Sequence, residues 1–392
     1  MTRALQNRLR RQQARRQVVF LVLACAAVTL LVALVFAFTS PKYPGGNGGG
    51  GEYPLTAGEY IEAPQETGGG AQSASIPPLT VGLGGDVSFG LEVAEVMEEE
   101  GPDYPWTDIS ALLGAYDFTA VNLEGPLCRG GGPNPDQPSY CMRGDATCAP
   151  PMAGAGIEAV GLANDHIMDY GLPGLEETLN ILRGEEIGTF GAGSNARAAE
   201  QPLVLEAENG ARLALLSFCD VAPPSYTAGE NSPGIAAAAL DRMGESIREA
   251  VGEAPYVVVF LHWGTIGSPE ITQRQRELAH ACVQAGADLV VGSHPHLVQG
   301  LEVWGGAPII YSLGDLVFPS VNGAGKSGII AGCRFDAGRL TGLEIHPLQV
   351  AGARPAPLAG AQAEEFLRGL AASSPGVRLD VSASSGTAYL QL

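Results

Sequence analysis

The stretch Ala287–His296, ADLVVGSHPH, governs how the rest of the chain is read. Leu289 to Val291 is a short apolar run that passes directly into Gly292-Ser293-His294-Pro295-His296. Taken alone, two histidines one residue apart read more readily as a polar turn than as a pair of ligands. Gly, Ser and Pro end strands, and exposed histidines are common. The two readings separate on whether other ligand-type residues arrive at the same place.

Five more apolar runs do bring such residues. LTVGLGGD ends at Asp86, and FTAVNLEG carries Asn122 and Glu124. IEAVGLANDH ends at Asp165 and His166, YVVVFLHWG carries His262, and APIIYSLGD ends at Asp315. From Leu79 onward these β-rich runs alternate with helix-like segments, which predicts a layered α/β domain. In open α/β sheets the ligand crevice lies beyond the carboxyl ends of the strands, so residues far apart in sequence meet there. The intervening helices read as scaffold. ITQRQRELAHACVQAG runs to Gly286, a C′ residue, with Leu278, Cys282 and Ala285 on its inner face. Past Gly328 the pattern predicts two antiparallel strands around a turn near Asp336–Gly338.

Asp86, Glu124 and Asp165 with His166, His262, His294 and His296 form a mixed oxygen and imidazole donor set. Such a set suits Mn, Fe or Zn better than Ca or Mg, which prefer all-oxygen shells. Two such ions about 3.5–4 Å apart, sharing a carboxylate, would clamp a phosphate and acidify a water. Bland alternatives stand beside several of these residues. His262 next to Trp263 also reads as a core histidine. His166 and Asp169 read equally as caps of the helix that follows, or as a histidine oriented by a carboxylate. His280 and His346 read as structural. Ser88 sits in GDVSFG, which is not a G-x-S-x-G elbow, so a serine hydrolase is excluded.

The chain of 392 residues is long enough for one large domain with appendages. Val18 to Phe38 is an uncharged run of 21 residues, which at ~1.5 Å rise spans the ~30 Å of a bilayer core. Six arginines and no acidic residue precede it, which predicts a cytoplasmic N-terminus and an extracellular C-terminal domain. A cleaved signal peptide is the competing reading, but its apolar region would be shorter and FAFTSPKYPGG is a poor cleavage site. The expected organisation is an Arg-rich cytoplasmic tail (1–17), a single transmembrane helix (18–38) and a disordered Gly/Pro-rich linker (39–78). A catalytic-type domain (79–355) and a C-terminal extension (356–392) follow. Beyond the six arginines, 16 basic residues face 42 acidic ones, which excludes nucleic-acid binding through a basic footprint. Cys128, Cys141 and Cys148 share one Gly/Pro-rich loop, where a bridge from Cys128 to Cys141 or Cys148 reads better than a zinc knuckle.

LGGDVSFG, AVNLEGPL, GLANDHIMDYG, FLHWG, GADLVVGSHPHLVQGLEVW and IIYSLGDLVF occur in an order and spacing that resemble the CapA/PgsA family. These are bacterial poly-γ-glutamate capsule-synthesis proteins, and the resemblance covers roughly Leu79 to Phe335. It implies a four-layer αββα sandwich like that of the calcineurin-type metallophosphoesterases. By the resemblance, Asp86, Glu124, Asp165, His262, His294 and His296 are metal ligands, with Glu124, alone or together with Asn122, bridging. His166 would be the catalytic acid and Arg143 a substrate contact, and on the orienting reading above Asp169 joins His166 as a catalytic residue. The cofactor implied is one or two divalent ions, with other capsule synthase subunits and an anionic polymer as partners. The sequence departs from the pattern at Ser88, where phosphoesterases carry a histidine. It departs again at Asp165 and Asp315, where the family usually has asparagine. Two classes of function follow: a metal-dependent hydrolase in envelope polymer assembly, or a non-enzymatic assembly factor with a structural metal site.

Overall fold

The strand Leu79–Val87 is buried along almost its whole length, as its run of apolar residues and glycines requires of a strand covered on both faces. In this computed structural model, which describes residues 76–136, 141–319, 326–382 and 384–392, it organises a ten-stranded sheet. On one side it runs parallel to Phe118–Leu123, which leads in turn to Ala159–Gly161 and Gly188–Phe190. On the other it meets the long strand Lys326–Asp336, which pairs antiparallel with Arg339–Ala351. The predicted turn between those two strands is present. Ala337 and Gly338 both take positive φ (49° and 79°), the twist that a two-residue hairpin loop needs.

The second sheet has six strands. Arg212–Cys219, Tyr256–His262, Leu289–Ser293 and Ala307–Ile310 are parallel, with Leu203–Glu206 and Leu301–Trp304 antiparallel at the edges. The two sheets share one core. Leu83, Ala331 and Ile345 of the first pack with Val258, Phe260 and Leu289 of the second. Outside the first sheet, Val121 and Val160 are covered by Val93, Met152 and Leu175 from the helices Glu92–Glu100, Ala149–Gly154 and Gly171–Gly184. Outside the second, Val257 and Leu261 are covered by Ile247 and Leu278 from the helices Leu240–Glu253 and Gln273–Ala285. The layers are therefore helix, sheet, sheet, helix. Each fully buried Val, Leu or Ile in them contributes roughly 1.5–3 kcal/mol of burial.

The helix Gln273–Ala285 ends as its sequence predicts, with Gly286 left-handed (φ 113°) and Leu278 and Cys282 buried. It starts with a capping box between Thr272 and Gln275. Its C-terminus feeds Asp288, whose carboxylate accepts the Val257 N–H at 2.8 Å. Burial pushes the Asp288 carboxyl up to about 6, against a usual 3.8, and the Val257 bond only partly offsets this. A carboxyl raised on folding costs stability once pH exceeds its unfolded value, and the cost is complete above the folded one. Asp288→Asn is therefore expected to stabilise the chain by about 2 kcal/mol at pH 8 and by almost nothing at pH 4, read from denaturant midpoints.

The predicted transmembrane helix (18–38) and tail, and the linker up to residue 75, lie outside the described residues. Among the described residues no helix is long and apolar enough to cross a membrane. The predicted bridge from Cys128 is not formed: Cys128, Cys141, Cys148, Cys219, Cys282 and Cys333 are all free thiols. Cys148 is instead packed in the outer core, and Cys128 is buried. The loop between them is held by Cys128 N–H bonding to Gly144 O and by the Arg129–Asp145 ion pair. The residues from 356 on continue the first sheet: Thr387–Gln391 pairs with Arg339–Ala351, and Leu367 and Leu370 of the helix Gly360–Ala372 enter the shared core.

Candidate metal centre

Asp86 lies where the first strand shifts register against both Phe118–Leu123 and Asp315–Val317, an irregularity of the kind that re-aims side chains at functional sites. The neighbouring backbone is very close. Asp86 N–H donates to Gly314 O at 3.0 Å, and a Cβ on Gly85 would stand 1.8 Å from that oxygen, so only glycine fits. Asp86 is fully buried and accepts from Asn122 Nδ2 (2.8 Å) and the His294 N–H (3.1 Å). Asn164 extends the scaffold. Its Nδ2 donates to Leu123 O and Asn122 Oδ1, while its Oδ1 accepts the N–H groups of His166 and Ile167. That turn fixes the loop carrying Asp165 and His166.

The second sheet supplies the imidazoles. His262 ends its strand with Nδ1 2.9 Å from Ser293 Oγ and Nε2 2.8 Å from Asp165 Oδ1. His294 Nδ1 is 3.1 Å from the same Nε2 and 3.7 Å from Asp165 Oδ1. His294 and His296 both adopt positive φ, 91° and 55°, around Pro295. Non-glycine residues held there carry of order 1–3 kcal/mol of strain, which persists where surrounding structure over-determines the geometry. GSHPH is therefore not a relaxed polar turn. His296 turns the other way, with Nδ1 2.9 Å from Asp315 Oδ1 and 3.4 Å from Asp86 Oδ2, and Nε2 3.5 Å from Glu124 Oε1.

Ligand-type atoms thus gather into overlapping groups: Asp165, His262 and His294; Asp86, His296 and Asp315; Asp86, Glu124 and His262; and Glu124, Asp165 and His166. Within each, the donor atoms lie within 4.8 Å of one another. Glu124 is decisive for the electrostatics, because both of its oxygens are buried without a hydrogen-bond partner among the described residues. Burial, together with the nearby Asp86, Asp165 and Asp315 carboxylates, pushes its carboxyl well above the usual range, while His296 pulls it down. Burial also opposes ionisation of Asp165, but the His262 and His294 bonds win and hold its carboxyl well below the ordinary value. His296 shows the converse. Burial resists its charge, yet Glu124, Asp315 and Asp86 raise it well above the usual imidazole range. A buried carboxylate left uncompensated is strongly unfavourable. The oxygen and imidazole donor set around Glu124 therefore fits a divalent cation.

His166 is 7% exposed, with Nδ1 2.7 Å from Asp169 Oδ2, an oxygen that also accepts the Met142 N–H at 2.7 Å. Burial disfavours its imidazolium, but the Asp169 and Asp165 carboxylates together outweigh burial and raise the ring above its ordinary value. Burial acts on Asp169 too and pushes its carboxyl upward, against His166 and Met142. Asp169 precedes the helix Gly171–Gly184 by two residues, and its side chain bonds His166 and Met142 rather than that helix's N-terminus.

The structure places Asp86, Glu124, Asp165, His262, His294 and His296 together, with His166 beside Glu124 and Asp165 and bonded to the buried Asp169. Arg143 is exposed and rests on Tyr170, its guanidinium carbon 4.6 Å from the ring centroid. Ser88 Oγ turns to Met142 Sδ at 3.4 Å. His280 and His346 are structural as predicted, stacked on Trp304 and bonded to Tyr116 OH respectively. Sequence reasoning left four participants out of the site. Asp315 ends a strand like the others and was legible by the same rule. Asn164 and Ser293 are short-range supports inside motifs already singled out, whereas Lys326, in a different strand, left no signal.

The family described as bacterial capsule synthesis protein, PGA_cap, matches residues 80–320. The PGA biosynthesis protein CapA of Bacillus subtilis is 29% identical over 280 residues, covering 71% of this chain and 74% of that protein. The capsule biosynthesis protein CapA of Bacillus anthracis is 30% identical over 290 residues, covering 72% and 70%. Among solved structures, the NAD nucleotidase of Haemophilus influenzae matches with a TM-score of 0.40 at 14% identity, covering 76% of this chain and 56% of that one. The order of strand-end motifs, the shared sequence and the matched span agree, and the chain belongs to the PGA_cap family of bacterial capsule synthesis proteins.

Proposed function

We propose that the strand-end cluster holds one or two divalent ions of the Mn, Fe or Zn type in a phosphoesterase-like hydrolase. The protein would act in assembly or export of an envelope polymer such as poly-γ-glutamate. Asp165, His262 and His294 would hold one ion, Asp86 and His296 the other, with Glu124 between. The observation that carries this reading is Glu124, whose two buried oxygens lack a hydrogen-bond partner among the described residues yet sit amid seven other ligand-type residues. A divalent ion bound there would withdraw charge from a phosphoryl oxygen and make a water acidic near neutral pH. The chain's own residues supply the remainder. Asn164 fixes the His166 loop, Asp169 holds His166 through Nδ1, and the His166 ring would deliver a proton to a leaving oxygen. The segment 18–38 would anchor the domain outside the membrane, where synthase subunits and an anionic polymer are the partners. The acidic surface is compatible with that polymer only where a metal or local arginines reverse the sign.

Ser88 favours a second reading, a non-enzymatic assembly factor, because its side chain faces Met142 and adds no nitrogen donor beside Asp86. One assay separates the two. The full-length chain is given generic phosphodiester and phosphomonoester substrates after chelation and after Mn²⁺ is restored. Turnover lost on chelation and recovered with Mn²⁺ supports the hydrolase. A metal-loaded chain with no turnover on either substrate supports the assembly factor.

A further inference from the structure

Asp315 is fully buried, and both its oxygens face cations or proton donors: Oδ1 lies 2.9 Å from His296 Nδ1 and Oδ2 lies 2.9 Å from Lys326 Nζ. The lysine contact is a charge contact rather than an aligned hydrogen bond, since Oδ2 has no hydrogen-bond partner among the described residues. Lys326 is itself only 14% exposed in its side chain, and its ammonium sits 4.5 Å from the Phe318 ring centroid. That ring lies 4.3 Å from the His296 ring. The lysine therefore touches both groups that flank His296 on this side. Its own position is fixed by the backbone. Gly314 and Gly328 form a bridge, and a Cβ on Gly328 would stand 1.9 Å from Asp315 O, so the start of the strand Lys326–Asp336 lies directly on Asp315.

We propose that Lys326 is a positioning residue for the metal centre, holding Asp315 so that Asp315 holds His296 by Nδ1 and leaves Nε2 for the ion. This role rests on the metal reading above. A carboxylate that accepts the far N–H of a ligating histidine sets its tautomer and ring orientation, and losing such a partner costs roughly 10–100-fold in metal affinity. Asp315 can serve in this way only if it does not turn inward to join Asp86 and Glu124. Lys326 supplies the opposing charge that keeps Oδ2 facing outward. Because its work is done on a carboxylate, its effect must depend on residue 315 being Asp.

The test is calorimetric titration of the full-length chain with Mn²⁺ and with Zn²⁺, for the unmodified chain, Lys326→Met, Lys326→Arg, Asp315→Asn and the double variant Asp315→Asn/Lys326→Met. Thermal unfolding of each metal-free variant establishes that it is folded. Lys326→Met is expected to weaken metal binding about tenfold, and Lys326→Arg to restore most of it. In the Asp315→Asn background the amide no longer needs a cation, so adding Lys326→Met should cost nothing further. Unchanged or tighter binding in Lys326→Met overturns the proposal. An equal loss in both backgrounds also overturns it, and would place the ammonium on a bound anion instead. If the unmodified chain binds no metal, this proposal and the metal reading fall together. Tight binding with a silent Lys326→Met defeats this proposal alone.

Discussion

Replacing His166 by alanine is expected to lower phosphoester turnover roughly 10²–10⁴-fold while leaving the metal content unchanged, the range for losing a placed general acid. The ring is nearly buried and tied by Nδ1 to Asp169, which fixes its orientation for moving a proton. Burial pulls the ring down, but Asp169, with Asp165, raises it above the ordinary imidazole value. Asp169→Asn should therefore lower the pH at which the active, protonated form is lost, moving the alkaline limb of the rate profile downward. The same shift has a stability signature. A histidine raised on folding stabilises the chain fully below its unfolded value, and that stabilisation fades as pH rises through the folded one. Metal content by elemental analysis discriminates further. His166→Ala that also loses its metal would make His166 a ligand with Glu124 and Asp165 rather than the acid.

Glu124→Gln is expected to act in opposite directions on metal binding and on metal-free stability. As the central carboxylate, Glu124 should matter more than an outer partner, so affinity should fall by more than roughly 10–100-fold. Without metal, the native chain holds a buried carboxyl that burial and three neighbouring carboxylates push well upward. Glutamine resembles the protonated form, so the metal-free variant should be more stable by ~1–3 kcal/mol at pH 8, with the gain gone at pH 4. Denaturant unfolding at the two pH values, with and without Mn²⁺, reads both effects. Lower metal-free stability in the variant would mean that Glu124 already has its partners within the protein.

The layered α/β domain and the crevice were legible because the same residues carry two signals, while the four-layer arrangement came only from the family resemblance. YVVVFLHWG and ADLVVGSHPH are apolar enough to be parallel strands buried on both faces, and each brings a histidine, at its end or just past it, that a core strand does not need. Strand-end reasoning alone places Asp86, Asp165, His262 and His294 in one crevice, since parallel strands deliver their carboxyl ends to one side. The support around them was not legible. Asn164 looks like a turn residue until its amide is seen bonding Asn122 and Leu123 O. Lys326 joins the site only through the close contact of Gly328 with the Asp315 backbone, a tertiary fact with no local pattern. The expected disulfide failed for a related reason: spacing in a loop gives no information on whether thiols pack apart in a core, as Cys148 does. Asp315 was read as a departure from a motif, yet in space it is the carboxylate facing His296 Nδ1.

Whether these strand ends form a metal centre is tested most directly by elemental analysis of the purified full-length chain beside His294→Ala/His296→Ala. One or two Mn, Fe or Zn ions per chain are expected in the unmodified protein, with a marked loss in the double variant. No bound metal after incubation with each ion, or equal content in both proteins, would contradict the metal centre.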